Sequence, residues 1–556
     1  MLARDRAINT LAGERFDVAV IGGGITGAGV ALDAASRGYS VALVERADFA
    51  SGTSSRSSKL VHGGLRYLQR LDLGLVREAL LERQLMVKLA PHLVRPLPFV
   101  VPAFGGARPD PLVGIGLNLY DAMAAPTLRA RRNARRAGSQ DGEGDWRPAR
   151  HRLISGAEVK ALLPALGARH PTGGYLFYDC QTDDARLVLT VLGEAERYGA
   201  ICANRLRVTG LAGKPGRGTV LSVQDQESGL EFMLRAENVV NATGVWADRI
   251  RPAELHAEAD VPTIVPSRGT HITLNHADLP LRAGAIVPAG EGRSIFAQPW
   301  LGRSLIGTTD NTYEGEIDHV RPSAGEIDYL LRAVNRFFGI SLARGAVTGA
   351  YAGVRPLIST GDSRRSVDIS RKAELYETSS GLITITGGKL TTWRRMAKLA
   401  VDRLVQRDGR CARCRTHEIP LGAPIDPAGL PRVPVAPEDC YGALARRYGH
   451  AAPAVLQIAR ARAELATPIV AGLPDLLAEA AYAARHEQAR SVGDVLLRRT
   501  RLGPLAGRQL CAQDSRAPLG VALAMGAELG WGEPRTVSEV ECFRREAAAE
   551  GISVSG

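Results

Sequence analysis

Lysine is nearly absent from this 556-residue sequence: of 70 basic residues only seven are Lys (59, 88, 160, 214, 372, 389 and 398), and the remaining 63 are Arg. With 58 acidic residues the formal charge is +12. A basic excess invites a nucleic-acid reading, because counterion release rewards clustered positive charge. Aromatic residues make up only 5% of the chain, however, and no recognition module is visible, so nucleic acid is not an expected partner. Cysteine is scarce too. Seven thiols, an odd number scattered from Cys180 to Cys542, exclude a disulfide scaffold and fit a reducing compartment. The one CxxC, Cys411 and Cys414, reads either as loop thiols or as part of a zinc site that would need His417 and Cys440 to converge on it from a Pro-rich stretch; no metal is expected. Long apolar runs are missing: no 18 uncharged apolar residues are consecutive, and the N-terminal MLARDRAINTLAGERFD carries charges where a signal core would sit. A cytoplasmic protein is expected, with contact at a membrane surface left open.

What is present is enough apolar residue, 45%, to fill real cores. The length predicts about three to four domains. Phe16–Ile21 is a short β-branched run ending in Gly22-Gly23-Gly24-Ile25-Thr26-Gly27, followed by small and apolar residues, then by Val41–Val44 and Glu45. This reads as strand, tight turn, helix, strand. Apolar positions at helical spacing predict a helix over 75–89 that the prolines from Pro91 onward stop. Strand-like runs around Val208, Val239 and Ile264–Thr273 make the middle β-rich, and 131–150 reads as an exposed insertion. Gly387-Gly388 opens a second helix, with Leu390, Trp393, Met396, Ala397, Ala400 and Leu404 on one face. Six prolines between 420 and 437 mark a linker. Beyond it lie Ala-rich helical segments, one over 475–490 and one opening at Ser491, where Asp494 completes a capping box.

In the first glycine motif, Gly22 permits the tight turn, Gly24 lets backbone approach a pyrophosphate, and Gly27 lets helix pack on strand. The helix N-terminus offers amide donors to phosphate, and Glu45 ends the second strand where it can accept from a ribose hydroxyl. Dinucleotide binding follows. Two further features select FAD over NAD: the strand running into Asn241-Ala242-Thr243-Gly244, and Gly387-Gly388-Lys389-Leu390-Thr391-Thr392, whose helix N-terminus suits negative charge on a reduced flavin.

At four blocks the chain resembles the FAD-dependent glycerol-3-phosphate dehydrogenase family: Thr53–Leu68 (TSSRSSKLVHGGLRYL), Ile306–Asp310 (IGTTD), Tyr351–Leu357 (YAGVRPL) and Gly387–Thr392 (GGKLTT), in the family's order. The resemblance runs from about residue 14 into the helical tail. It implies an α/β protein: an FAD-binding Rossmann-like domain of the glutathione-reductase/amino-acid-oxidase type, an inserted β-rich substrate domain and an all-α C-terminal domain. On that plan residues 14–405 form the oxidoreductase region. The FAD domain takes 14–70, 170–250 and 345–405, the substrate domain 71–169 and 251–344, the linker 406–437 and the helical domain 438–556. The resemblance implies hydride transfer from C2 of sn-glycerol 3-phosphate to flavin N5, giving dihydroxyacetone phosphate, with electrons passed to a quinone. It assigns His271, Lys389 and Arg355 to catalysis. Arg66, Tyr67, Arg355, Arg371 and His271 are assigned to the substrate. Besides the glycine motif and Glu45, it assigns Thr53, Ser54, Ser58, Lys59, His62, Gly63, Gly64, Thr243, Gly244, Gly388, Lys389, Leu390 and Thr391 to the cofactor.

Some alternatives stay open. Arg371 lies in a variable stretch where Arg364 or Arg365 can take its place, and His271 also reads as a structural histidine. The acceptor is quinone or oxygen, an amine or amino-acid oxidase of the same superfamily would bind a carboxylate in place of a phosphate, and a non-enzymatic basic binding protein is the reading from another class. With Arg outnumbering Lys nine to one, the few lysines are expected where Arg will not serve, Lys389 and Lys59 among them. Residues 111–128 carry one charge and run into Arg129, Arg131, Arg132, Arg135 and Arg136. That pattern reads either as a monotopic anchor on anionic lipid or as a buried helix followed by a solvated loop. Expected partners are glycerol 3-phosphate, a quinone, an anionic membrane surface and a second copy of the chain.

Overall fold

The computed structural model describes all residues except 2, 65–71, 106–108, 125–148, 214–217, 251–262, 291, 360–372, 379, 380, 555 and 556. Among the described residues the strands form two sheets, of eight and ten strands. The first runs Ala373–Glu377, Ile383–Gly387, Glu231–Asn241, Arg15–Ile21, Val41–Val44, Ile201–Ala203, with Leu206–Gly213 and Thr219–Asp225 added antiparallel beside Glu231–Asn241. From Ile383–Gly387 to Ile201–Ala203 the neighbours are parallel. Val41–Val44 is buried at every position, as a strand covered on both faces must be. The helices Ile25–Ser36, Asp184–Arg197 and Trp393–Arg407 share one core over this sheet. Arg15–Ile21 has its sequence neighbour on one side and the distant Glu231–Asn241 on the other, so the strand order reverses there and a crevice opens beyond the carboxyl ends.

The second sheet is largely antiparallel. Thr263–Asn275 pairs along most of its length with Val347–Ser359, and Arg95–Phe104 with Pro171–Gln181. The amphipathic helix Ala324–Phe338, capped by Ser323 and Glu326, closes an apolar core against it. Leu60–Val61, Pro171–Gln181 and Val347–Ser359 pair in this second sheet, although their positions along the chain group all three with the cofactor domain. Their partners are strands far away in sequence, and the chain crosses between the sheets at each of them. Sequence proximity does not report such pairings.

The C-terminal helices Asp439–Tyr448, Ala452–Ala461, Leu477–His486, Leu502–Leu510, Ala517–Leu529 and Glu533–Glu550 enclose a separate core. Ser491 and Asp494 form the reciprocal cap expected of them: Asp494 N–H donates to Ser491 Oγ, and Ser491 N–H to the Asp494 carboxylate. These helices also touch the second sheet, where Leu505 packs with Trp300, Leu305 and Tyr351.

Candidate active site

The crevice widens into a cavity of about 1970 Å³. At its nucleotide end Gly22 has φ +112°, and a Cβ there would lie 2.7 Å from the Ala242 carbonyl oxygen. A Cβ on Gly27 would lie 1.9 Å from the Gly22 oxygen, so helix and strand pack only through glycine. Gly22 and Gly24 line the cavity, and Gly27 supports them from behind. Glu45 also lines it, with its carboxylate accepting from the N–H groups of Gly23 (2.7 Å) and Ala47 (2.9 Å). Burial raises its pKa despite those donors. Ser54 Oγ accepts from Ile25 N–H (2.9 Å) at the start of the glycine-motif helix. Thr243 and Gly244 reach the same end, and Thr386 Oγ1 donates to the Gly244 carbonyl (3.1 Å).

Further along, the segments expected to meet a flavin converge. Thr53 Oγ1 donates to the Val354 carbonyl (2.5 Å). His62 N–H donates to Thr391 Oγ1 (3.1 Å), which joins the block around 53–64 to the one around 387–392. Thr53, Ser54, Ser58, His62, Gly64, Gly388, Lys389, Leu390 and Thr391 all line the cavity. Gly387 and Gly388 have φ +77° and +69°, and a Cβ on Gly388 would strike Met396 Sδ. Gly63 is packed away from the cavity, its N–H donating to Tyr120 Oη (2.9 Å).

Lys59 departs from the expectation of a cofactor contact. It is fully buried beneath the cavity wall, with Nζ donating to the Ser55 carbonyl (2.6 Å) and to both oxygens of Asp184 (2.9 and 2.7 Å). Burial, helped by Arg501, pulls its pKa down to about 7 against the pull of Asp184. Burial alone would raise the Asp184 carboxyl, but Lys59 and Arg501 hold it below its usual range.

His271 is 2% exposed, lies on the cavity wall and packs flat on Tyr351, with ring centroids 4.8 Å apart at 9°. Its Nε2 is 2.9 Å from Ser58 Oγ. Burial, reinforced by the charges of Lys59 and Arg355, holds its pKa well below the ordinary imidazole value, so the ring is neutral. Arg355 is different in kind: its side chain is 27% exposed, lines the cavity and makes longer contacts, to Thr308 Oγ1 (3.1 Å), the Thr309 carbonyl (3.3 Å) and Asp310 Oδ1 (3.4 Å). A Cβ on Gly269 would sit 2.5 Å from Arg355 Nη2, so this glycine lets the guanidinium pass. Arg66, Tyr67, Arg371, Arg364 and Arg365 lie outside the described residues.

This cradle fits FAD: glycines stand where a Cβ would fill the turn, an acid ends the second strand, and one cavity continues from there to the Gly387-Gly388-Lys389 turn. Residues 17–403 match the FAD dependent oxidoreductase family, and residues 384–536 match the C-terminal domain of alpha-glycerophosphate oxidase. Glycerol-3-phosphate dehydrogenase 2 of Mycobacterium tuberculosis is 36% identical over 566 aligned positions, covering 97% of this chain and 89% of the relative. The chain belongs to the FAD-dependent glycerol-3-phosphate dehydrogenase family. The aerobic glycerol-3-phosphate dehydrogenase of Bacillus subtilis is 34% identical, with 76% of this chain and 73% of the relative covered. The glycerol-3-phosphate dehydrogenase of Bacillus halodurans, solved with FAD, superposes with a TM-score of 0.76 at 28% identity, over 100% of this chain and 98% of the other. The cofactor is FAD.

Sequence reasoning missed several residues of this family member's site. Tyr351 donates from Oη to the Ser57 carbonyl (2.8 Å) while carrying the His271 ring. Asp184 accepts from Ser57 through both N–H (3.0 Å) and Oγ (2.6 Å). Asp179 lines the cavity and is held by Tyr120 and Arg83. Tyr351 opens one of the four family blocks, and that position was its signal. Asp184 and Asp179 had none, because nothing local distinguishes them from surface carboxylates.

Proposed function

We propose that the enzyme oxidises sn-glycerol 3-phosphate to dihydroxyacetone phosphate on FAD and passes the electrons to a quinone. One observation supports this most: a partly exposed guanidinium, Arg355, and a buried neutral imidazole, His271, lie on paired strands along one wall of the FAD cavity. Arg355 holds the phosphate. Its planar fork matches a dianion bidentately, and its side chain is exposed to the cavity. Arg66 and Arg371 act with it. His271 takes the C2 hydroxyl proton through Ser58, whose hydroxyl passes its own proton to Nε2 (2.9 Å) as it accepts the one leaving the C2 oxygen, and whose contact orients the ring. FAD, when bound, supplies the acceptor for the C2 hydride. Lys389 places a compact positive charge beside the site where negative charge develops.

The quinone reading is supported by the helix Pro111–Ala124. Its inner face buries Leu117, Tyr120 and Met123, whereas Leu112 and Ile115 are 74% and 64% exposed on the outer one. Such a face lies on lipid, and the arginines following in sequence favour an anionic surface. Among the described residues no helix is long and apolar enough to cross a membrane. Peripheral attachment in the cytoplasm is therefore the proposed location. Oxygen is the rival acceptor, favoured by the match to an oxidase's C-terminal domain.

Anaerobic bleaching of the flavin by glycerol 3-phosphate, with no bleaching by glycerol, is the expected result. Equal bleaching by glycerol would overturn the phosphate's role. Peroxide yield in air, set against the rate with a quinone analogue, decides the acceptor.

A further inference from the structure

The C-terminal helices send three buried arginines into the wall of the FAD cavity. From the helical turn Asp494–Arg499, Arg498 Nε donates to Asp48 Oδ2 (2.5 Å), and Arg499 grips the same carboxylate through both Nη atoms (2.6 and 2.8 Å). Asp48 follows Glu45 and lines the cavity. Arg501, 1% exposed, takes a different target. Its Nη2 donates to the Ser55 carbonyl (2.6 Å) and Asp184 Oδ1 (3.2 Å), and its Nη1 to the Leu497 carbonyl (2.9 Å).

These are the acceptors Lys59 already uses, so two buried cations meet on one carboxylate and one carbonyl. Both residues are left-handed, with φ +66° at Arg501 and +60° at Lys59. A non-glycine residue is strained in that region and persists there only where its surroundings over-determine it. The short segment from Ser55 to Lys59 is fixed from several sides: Ser57 donates to Asp184, the Ser57 carbonyl accepts from Tyr351 Oη, and the Ser58 carbonyl accepts from Gln298 Nε2 (2.8 Å). Ser58 Oγ then meets His271.

We propose that Arg501 is a positioning residue for the reaction: reaching over from the C-terminal helices, it shares Ser55 and Asp184 with Lys59 and so fixes the 55–59 turn on which Ser58 sets the His271 ring. The C-terminal helices thereby help to hold the active-site turn and are not an appendage to it. The inference rests on His271 being the proton acceptor.

The test is a double-mutant cycle in the full-length, FAD-loaded enzyme, pairing Arg501→Met with Ser58→Ala, with His271→Asn as reference. Three quantities are read: the FAD content from visible absorbance, the KM for glycerol 3-phosphate, and the rate of anaerobic flavin reduction. Arg501→Met is expected to keep the FAD content and KM of the parent and to slow reduction about ten- to a hundredfold, since small misplacements of a reacting group cost rate. The double variant is expected to be no slower than the slower single one, because both act through one contact. Multiplying effects, an unchanged rate, or a loss matched by lost FAD would each overturn the proposal. If Arg501→Met does not accumulate as folded protein, Arg501→Lys, which keeps the charge but cannot span all three acceptors, carries the same cycle. A His271→Asn enzyme as fast as the parent would overturn the reading of the base itself; a slow His271→Asn with a fast Arg501→Met would overturn only the positioning role.

Discussion

Lys59 and Arg355 both come from blocks that resemble the family, both carry a cation, and they stand in opposite electrostatic situations. Lys59 has no exposed surface and gives its protons to a carboxylate and a carbonyl. Arg355 keeps about a quarter of its side chain exposed to the cavity and touches Thr308, Thr309 and Asp310 at 3.1–3.4 Å. A fully buried cation held at short range by a carboxylate is committed to the fold, whereas one exposed to the cavity can be reached from it. Burial and partner distance, not membership of a motif, separate the two roles.

Breaking Lys59 sharpens that comparison most. Lys59→Met leaves Asp184 paired with Arg501 alone and removes one buried donor from Asp184 and from the Ser55 carbonyl, and a buried acceptor that loses its donor costs about 1–3 kcal/mol; a lower midpoint in denaturant unfolding followed by tryptophan fluorescence is the expected readout. Arg355→Met should leave stability near that of the parent and lower kcat/KM for glycerol 3-phosphate about a hundredfold or more, since charge-assisted bonds are worth about 1.5–3 kcal/mol each. A similar loss of stability in both variants would erase the distinction. His271→Asn should reduce kcat about a hundredfold by removing the general base, with FAD content unchanged in the visible spectrum.

The smallest effect is on pH dependence. The folded chain holds His271 neutral, well below the ordinary value of 6.5. The unfolded chain therefore takes up that proton first as pH falls, and stability declines below about pH 6.5. His271→Asn should flatten that decline in urea midpoints measured between pH 7 and 5. An unchanged slope would mean that other groups carry it.

Much of the nucleotide cradle was legible in the residues themselves. Gly22, Gly24 and Gly27 report local requirements, a turn at φ +112° and contacts a Cβ would block, which hold wherever the motif sits. The pairing of helix 393–407 with its Gly-Gly start was readable for the same reason, from periodicity and a turn. The strands Pro171–Gln181 and Val347–Ser359 were not, because a strand's sheet is chosen by partners its own sequence does not contain. The apolar stretch from Pro111 folds as a helix with one buried and one exposed face, an arrangement that a count of apolar residues cannot tell from a wholly buried helix.

The arginines mark the boundary most clearly. Arg83, Arg186, Arg499 and Arg501 are almost wholly buried against carboxylates, although their type alone would place them on the surface. By itself the sequence determined the dinucleotide turn, which depends on a short segment with its own steric logic, and its four motif blocks carried the resemblance to the family and its FAD. Only the tertiary structure decided which cations are buried against carboxylates and which face the cavity. Lys59 lies 125 positions from Asp184, and Arg501 lies 317 from it. Whether such groups meet, and whether water is excluded when they do, is set by how the helices and sheets pack.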